Sequence, residues 1–427
     1  MNVNTVEERV CVIGLGKIGL PLAVQYATKG CQVIGCDIRP GLVESINRGV
    51  APEGDEEGLP HRLAEAVSRG LLSATTDAAD AVRRSRVIVI VVPVDVDEHN
   101  LPNFSAIDAV TAILAENLSQ RTLIVLETTV PVGTTRRRIA AALGEAGLIA
   151  GRDYLLAYSP ERVFAGRIFN DLARYPKVIG GVDEQSAQAA HSFYARVLDA
   201  PVLLLESAEA AEFTKLAESV YRDVNIALAN ELAIYATRFN VNVYQSIVAA
   251  NSQPFSNIHQ PGLGVGGHCI PVYPYFLIGQ DDDSLIAQAR RINDGMSSYA
   301  ASLLDKALDG LLRKTILILG LAYRPNVKEA SHSSTVLLAR ELERAGATVL
   351  VHDPLFNTNE IEALGLKPVS IDAAQKVDAL VLQSLHDVYR DLDLSLFTGC
   401  RALLDGRNAM SKAHVEAAGI SYLAIGG

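Results

Sequence analysis

"VCVIGLGKIG", residues 10–19, sets the architecture expected of this chain. Four apolar residues, Val10, Cys11, Val12 and Ile13, run straight into Gly14-Leu15-Gly16-Lys17-Ile18-Gly19. A G-x-G-x-x-G pattern alone is weak. Here it leaves an apolar run and opens an amphipathic segment, and Asp37 closes the next apolar run about 20 residues on, which is the dinucleotide-binding context. Gly14 permits the tight turn, Gly16 lets a pyrophosphate approach the backbone, and Gly19 allows close helix–strand packing. The helix N-terminus offers N–H groups and a positive dipole end to phosphate. Asp37 suits an adenosine ribose and would repel a 2′-phosphate, so NAD is expected over NADP.

Outward from this stretch the alternation continues. Val33–Cys36, Val87–Val92, Leu123–Leu126 and Lys177–Ile179 read as buried strands, rich in Val and Ile and mostly followed by turn residues. Helix-like segments separate several of them, which is the pattern of a parallel sheet covered on both faces. From Ser207 to Phe239 the chain has neither Gly nor Pro. Phe213, Leu216, Val220, Val224 and Ala227 recur at helical spacing, predicting one helix of roughly 50 Å. Val241–Ala250 and Ile286–Leu304 extend this helical middle. A second alternation starts at Lys314, with strands expected at Thr315–Leu319, Thr348–Val351, Ala379–Leu382 and Ala402–Leu404 and a helix at Ser334–Gly346. The fold class expected is therefore α/β. Two Rossmann-like doubly wound parallel-sheet domains, 1–205 and 306–427, are joined by a long central helix and a helical middle domain, 206–305. The unit Leu319-Gly320-Leu321-Ala322-Tyr323-Arg324-Pro325-Asn326 lacks the full glycine set, and Pro325 would disturb a helix starting there. It suits another nucleotide or a purely structural repeat, not a second NAD.

Composition bounds the rest. The 427 residues carry a formal net charge of −11, which argues against nonspecific attraction to nucleic acid or to an anionic membrane. The longest strongly apolar run, Val87–Val94, has about half the length that spans a bilayer. No secretory leader is visible in the opening MNVNTVEERV. Five cysteines without disulfide rhythm suggest a cytoplasmic protein with reduced thiols. Cys11, Cys31, Cys36 and Cys400 lie in or beside apolar strands and read as core. Cys269 differs: it sits in PGLGVGGHCIPVYPYF, residues 261–276, among Gly262, Gly264, Gly266 and Gly267. Bare backbone there can wrap a ligand, and the thiol reads equally as a nucleophile or as a small buried side chain. His259, His268 and Cys269 form no paired zinc pattern, so no metal is expected. Lys215 and Ser219, four apart, share a helix face.

Taken together, "GLGKIGLPLA" (14–23), "ETTVPVGTT" (127–135), "SPERVFAG" (159–166), "KVIGGVD" (177–183), "EFTKLAESVYRDVNIALANELA" (212–233), "GVGGHCIP" (264–271) and "LGLAYRPNV" (319–327) resemble the nucleotide-sugar 6-dehydrogenases. That group includes the UDP-glucose, GDP-mannose and UDP-N-acetylhexosamine dehydrogenases. "SPER", "YRDVN" and "GGHCIP" look most like the branch acting on UDP-N-acetylglucosamine or UDP-N-acetylmannosamine. The resemblance implies an NAD-dependent oxidation of a sugar C6–OH to the uronic acid, in polysaccharide biosynthesis, by a homodimer that pairs through the central helix. A cysteine matching Cys269 adds to the aldehyde as a thiohemiacetal. A second oxidation gives a thioester, which water hydrolyses. By the same resemblance Lys215 steadies the oxyanion, Glu161 positions or activates water, and Thr129 lies near the nicotinamide. Gly14, Gly16, Lys17, Ile18, Gly19, Asp37, Pro93 and Thr129 would bind cofactor. Glu161, Arg162, Lys215, Ser219, Asn225, Gly264, Gly266, Gly267, Tyr323 and Arg324 would bind the UDP-sugar.

The sequence departs from the family pattern near the expected site. Tyr273 stands where Asp is usual, Ser219 where Asn is usual, Phe255 and Ser331 where Arg is usual, and Val94 where Thr is common. These changes leave two further readings open: an enzyme that stops at the aldehyde or epimerises, and a nucleotide-sugar-binding protein with little catalysis.

Overall fold

Val, Ile and Leu fill the strands because both faces of each sheet are covered. The computed structural model describes residues 8–52, 56–164, 166–279, 282–374 and 376–427, so the first seven residues and Ala165 of the quoted 159–166 stretch lie outside the described residues. Two compact units divide the chain: 1–218 with 275–277, and 219–274 with 278–427.

The first unit holds β1 (Arg9–Ile13), β2 (Gln32–Cys36), β3 (Leu72–Thr75), β4 (Val87–Ile90), β5 (Thr122–Leu126), β6 (Tyr154–Tyr158), β7 (Lys177–Gly181) and β8 (Val202–Leu204). Their order is β3-β2-β1-β4-β5-β6-β7-β8. Pairing is parallel except where β7 meets β6 antiparallel, through Ala157↔Gly181 and Tyr158↔Gly180. That exception qualifies the all-parallel expectation for this sheet. Between these two strands the chain returns without a crossover, and such a return makes antiparallel neighbours. β3 and β8 escape a reading of the sequence because they are short and partly exposed edges; β6, buried between β5 and β7, escapes it as well because YLLAY carries no β-branched residue to mark a strand. Around the sheet, residues from Val10 to Leu198 form one apolar core that includes Tyr26, Phe193 and Tyr194.

A helix of 31 residues, Ala208–Arg238, starts in the first unit and ends in the second. At 1.5 Å per residue it is about 46 Å long. Its buried side is only partly the apolar stripe expected: Leu216 and Ala227 are buried, but Phe213 is 53% exposed, and Glu212, Ser219, Asp223 and Asn230 are buried as well. Glu212, Asp223 and Asn230 lie inward because each bonds a backbone amide or a buried side chain there.

The second unit builds β9 (Thr315–Leu319), β10 (Thr348–His352), β11 (Ala379–Leu382), β12 (Ala402–Asp405) and β13 (Ser421–Ala424) in the order β10-β9-β11-β12-β13. All four pairings are parallel. Helices Val243–Ala250, Leu285–Leu308 and Ser334–Arg344 belong to this unit.

Both sheets open with the same device. Gly14 N–H donates to Cys36 O at 2.8 Å, and Gly320 N–H donates to His352 O at 2.8 Å. The two glycines have φ of +95° and +100°, where a side chain is strained. A Cβ on Gly14 would also lie 2.6 Å from Val91 O. The residue after each glycine then donates its N–H to the carboxylate ending the neighbouring strand, Leu15 to Asp37 at 3.0 Å and Leu321 to Asp353 at 2.7 Å.

Candidate active site

In the first unit β1 lies between β2 and β4, so connections leave it in opposite directions. The crevice at the carboxyl ends of such strands is where an α/β sheet takes a ligand. Gly16 and Lys17 are exposed in the turn there, and Ile18 precedes the helix Gly19–Thr28. A Cβ on Gly16 would meet nothing within 4 Å, so its backbone faces open space. A Cβ on Gly19 would sit 1.8 Å from Gly14 O, which is why helix and turn pack so tightly. The first helical turn has no acidic residue to repel a phosphate. Asp37 Oδ1 accepts from Arg39 N–H at 3.0 Å and Nε–H at 2.9 Å. Burial alone would raise its carboxyl, but Arg39 and the Leu15 amide bring it below the usual range. Pro93 is exposed beyond β4, and Thr129 is buried beyond β5. The adjacent Thr128 ties these two loops together by donating to Val92 O at 2.6 Å. An open turn, an anion-tolerant helix start and a carboxylate at the end of β2 fit NAD.

Nearby in the same unit, residues far apart in sequence converge on Glu161. Lys215 Nζ donates to the Glu161 carbonyl at 2.6 Å. Glu161 Oε1 accepts from Arg162 N–H at 2.7 Å, and Oε2 accepts from Lys177 Nζ at 2.9 Å. The Arg162 guanidinium pairs with Glu218 and donates to Pro176 O at 3.0 Å. One turn before Lys215, buried Glu212 accepts from Thr135 N–H at 2.8 Å, from Thr135 Oγ1 at 2.6 Å and from Gly133 N–H. That fixes the end of the loop carrying Thr129 on the long helix.

The second unit holds the remaining candidates. Of the five cysteines only Cys269 is not buried. A buried network grips both ends of its glycine loop. Gly262 N–H donates to Asn230 Oδ1 at 2.9 Å, and Asn230 Nδ2 donates to Asn293 Oδ1 at 2.9 Å. Asn293 Nδ2 donates to Asp223 Oδ1 at 2.7 Å, and Arg290 donates to Asp223 Oδ1 at 2.6 Å and to Ile270 O at 3.4 Å. The Tyr323 ring covers the loop: its Cβ would lie 2.6 Å from a Cβ on Gly266, and its Cζ 3.3 Å from one on Gly267. Burial pushes the Tyr323 hydroxyl up. A Cβ on Gly264 would press on Ser334 at 3.1 Å. Arg324 stands 5.6 Å from the Tyr323 ring centroid. Asn225 is engaged with the incoming loop, donating to Asn257 O at 2.7 Å and accepting from His259 N–H at 2.9 Å. Arg407, which the sequence reading missed, donates to Tyr323 O at 3.1 Å and Gln383 O at 2.7 Å.

Asp353 differs from Asp37 in what it serves. It is fully buried and accepts from Leu321 N–H, Ala322 N–H and His386 Nε2 at 2.7, 2.9 and 3.0 Å. His386 Nδ1 accepts from Asn326 N–H at 2.9 Å, so its proton sits on Nε2, toward Asp353. This carboxylate holds its own loop, which explains why the second sheet opens like the first without offering a ribose acceptor.

Residues 8–198 match the NAD binding domain of the UDP-glucose/GDP-mannose dehydrogenase family, residues 209–295 its central domain and residues 317–412 its UDP binding domain. The UDP-N-acetyl-D-mannosamine dehydrogenase of Pyrococcus horikoshii is 35% identical over 422 residues, covering 95% of this chain and 97% of that one.

The chain belongs to the UDP-glucose/GDP-mannose dehydrogenase family.

A solved structure of UDP-D-ManNAc dehydrogenase from Pyrococcus horikoshii has a TM-score of 0.88 at 34% identity, over 98% of this chain and 99% of that one. A UDP-glucose dehydrogenase from the archaeon Pyrobaculum islandicum has the same TM-score, 0.88, at 29% identity over 100% and 99%. This family member is an NAD-dependent nucleotide-sugar dehydrogenase. No helix among its described residues is long and apolar enough to cross a membrane. The departures noted in its sequence have distinct surroundings. Tyr273 opens a short 3-10 turn and donates its N–H to Cys269 O at 2.9 Å. Ser331 Oγ donates to Glu329 Oε1 at 2.6 Å and lies 2.9 Å from His268 Nε2. Ser219 and Val94 are buried, and Phe255 is 95% exposed.

Proposed function

We propose that the dehydrogenase oxidises the C6 hydroxyl of a UDP-N-acetylhexosamine to the uronic acid through a covalent sulfur intermediate on Cys269. The observation that carries this reading is the placement of Cys269. It is the one cysteine left accessible, on a loop whose glycines strip side chains from around it. The named activity of the Pyrococcus horikoshii relative supports the N-acetylhexosamine. The turn at Gly14–Gly19 with Asp37, Pro93 and Thr129 would hold NAD, which when bound accepts hydride from the sugar carbon. Cys269 adds to the aldehyde carbon and keeps it from escaping; loss of a second hydride to NAD+ would turn the thiohemiacetal into a thioester, and the sulfur leaves as thiolate when water attacks. Lys215 offers a positive charge to the oxyanion, and Glu161 takes a proton from the attacking water. Arg162, Ser219, Asn225, Gly264, Gly266, Gly267, Tyr323 and Arg324 are proposed to meet the UDP-sugar.

The test is stoichiometric. The protein is mixed with NAD+ and a panel of UDP-sugars, and NADH formed per sugar consumed is counted. Two NADH per N-acetylhexosamine is the expected result. One would indicate an aldehyde product, and none with an isomerised sugar would indicate epimerisation.

A three-part division at 1–205, 206–305 and 306–427, a cytoplasmic location and a homodimer belong to the same proposal. The dimer is supported by the outer face of the long helix, where Tyr221, Leu228 and Tyr235 recur every seven residues and Phe239 follows, all between 46% and 73% exposed. A second copy would cover that stripe. Leu228→Glu is expected to give a monomer by analytical ultracentrifugation at concentrations where the wild type sediments as a dimer. A wild-type monomer would refute the assembly.

A further inference from the structure

Lys177 opens a strand that otherwise reads as sealed core, yet its ammonium is only 4% exposed and lies between two carboxylates. Glu127 follows β5 and is fully buried; its Oε2 accepts from Lys177 Nζ at 2.8 Å. Glu161 Oε2 accepts from the same Nζ at 2.9 Å. Two phenols close the far side. Tyr26, from the helix Gly19–Thr28, donates to Glu127 Oε1 at 3.0 Å, and Tyr194, from the helix Glu184–Val197, donates to the same oxygen. Charged groups facing Glu161 from the surrounding elements are thus Lys177, Glu127 and Lys215, with the Arg162 amide on its other oxygen.

We propose that Lys177 is a positioning residue for Glu161, clamping its carboxylate in one orientation and keeping it ionised as the proton acceptor for water. The inference rests on the reading that the reaction ends in thioester hydrolysis. In that step the water oxygen bonds to the acyl carbon, one water proton passes to Glu161, the C–S bond breaks, and Cys269 departs as thiolate. Glu161 then returns its proton to solvent. A carboxylic acid at Glu161 could not take the proton.

The electrostatics agree with the geometry. Burial would raise the Glu161 carboxyl, but the Lys177 ammonium, the Arg162 amide and Lys215 together hold it below the usual carboxylate range. Burial would lower Lys177, and Glu127 with Glu161 raise it. Glu127 itself is pushed up by burial against the pull of Lys177. With Lys177 in place Glu161 is ionised at neutral pH, and without it the carboxyl titrates higher.

Lys177→Met alone leaves Glu127 buried beside no cation and is liable to unfold. The working variant is therefore the double replacement Glu127→Gln with Lys177→Met, in which Gln still accepts from both tyrosines. The full-length chain, NAD+ and the UDP-sugar it oxidises are used, and turnover is followed against pH. In the double variant the acidic limb is expected to move up by about 1 unit or more. Lys177→Arg should keep the limb within a few tenths of the wild type, and Glu127→Gln alone should not raise it. Below the shifted limb, two NADH per site should still appear in the first turnover while later turnovers slow, since acyl-enzyme accumulates. A purely structural role would lower activity at every pH and leave the limb where it was; that result overturns the inference. A wild type that makes no acid from any UDP-sugar overturns the reading beneath it as well, so the two failures are told apart.

Discussion

Cys269→Ala is expected to abolish formation of the acid product, with turnover to acid falling on the order of 10^4-fold, as for loss of a covalent nucleophile elsewhere. The side chain removed is partly exposed on a loop held by hydrogen bonds at Gly262 and Ile270, neither of which involves the sulfur. The variant should therefore fold, and the loss should be chemical. Product analysis by mass spectrometry with the NADH count decides it. Acid formed within tenfold of the wild-type rate would remove Cys269 from the mechanism.

Asp223→Ala is expected to destabilise the second unit by about 2–3 kcal/mol, because it leaves the buried Arg290 with one carboxylate, Asp294, in place of two. Arg290 is 3% exposed, and Asp223 0%. The carboxylate also accepts from Asn293 Nδ2 at 2.7 Å, and that buried donor would keep only the Asp223 carbonyl at 3.0 Å. Urea unfolding of the full chain should show the transition of this unit at a clearly lower midpoint. A loss under about 1 kcal/mol would mean that water reaches Arg290 readily. The same substitution should loosen the Cys269 loop, since Arg290 and Asn230 reach Ile270 and Gly262.

The alternation of apolar runs with glycine-ended turns makes both sheets legible in the sequence. Gly14, Gly16, Gly19 and Asp37 are legible because a strand, a tight turn and an acid at this spacing rarely coincide outside a dinucleotide-binding unit. The inner face of the long helix is legible only in part, through Leu216 and Ala227. Phe213, Leu216, Val220, Val224 and Ala227 supply its visible period, but Glu212, Asp223 and Asn230 turn inward because their partners lie 32 to 79 positions away. Such long-range pairing leaves no local trace. Lys177 escapes notice for a similar reason. A signal exists: a lysine beginning an apolar strand, with Glu127 and Glu161 each just past the end of an earlier one. Arg407 is hidden because its acceptors are backbone carbonyls, which any sequence supplies. The antiparallel meeting of β6 and β7 depends on how the chain turns between them, which periodicity does not encode.

The four enclosed thiols have a practical side. Cys11 and Cys36 face each other at 3.7 Å beneath the first sheet's opening turn, and burial pushes Cys31 and Cys400 up to about 11. An alkylating dye added to the native protein thus meets one responsive sulfur without any engineering. A fluorophore or spin probe can be attached at position 269 of the unaltered chain, and its report comes from the glycine loop alone.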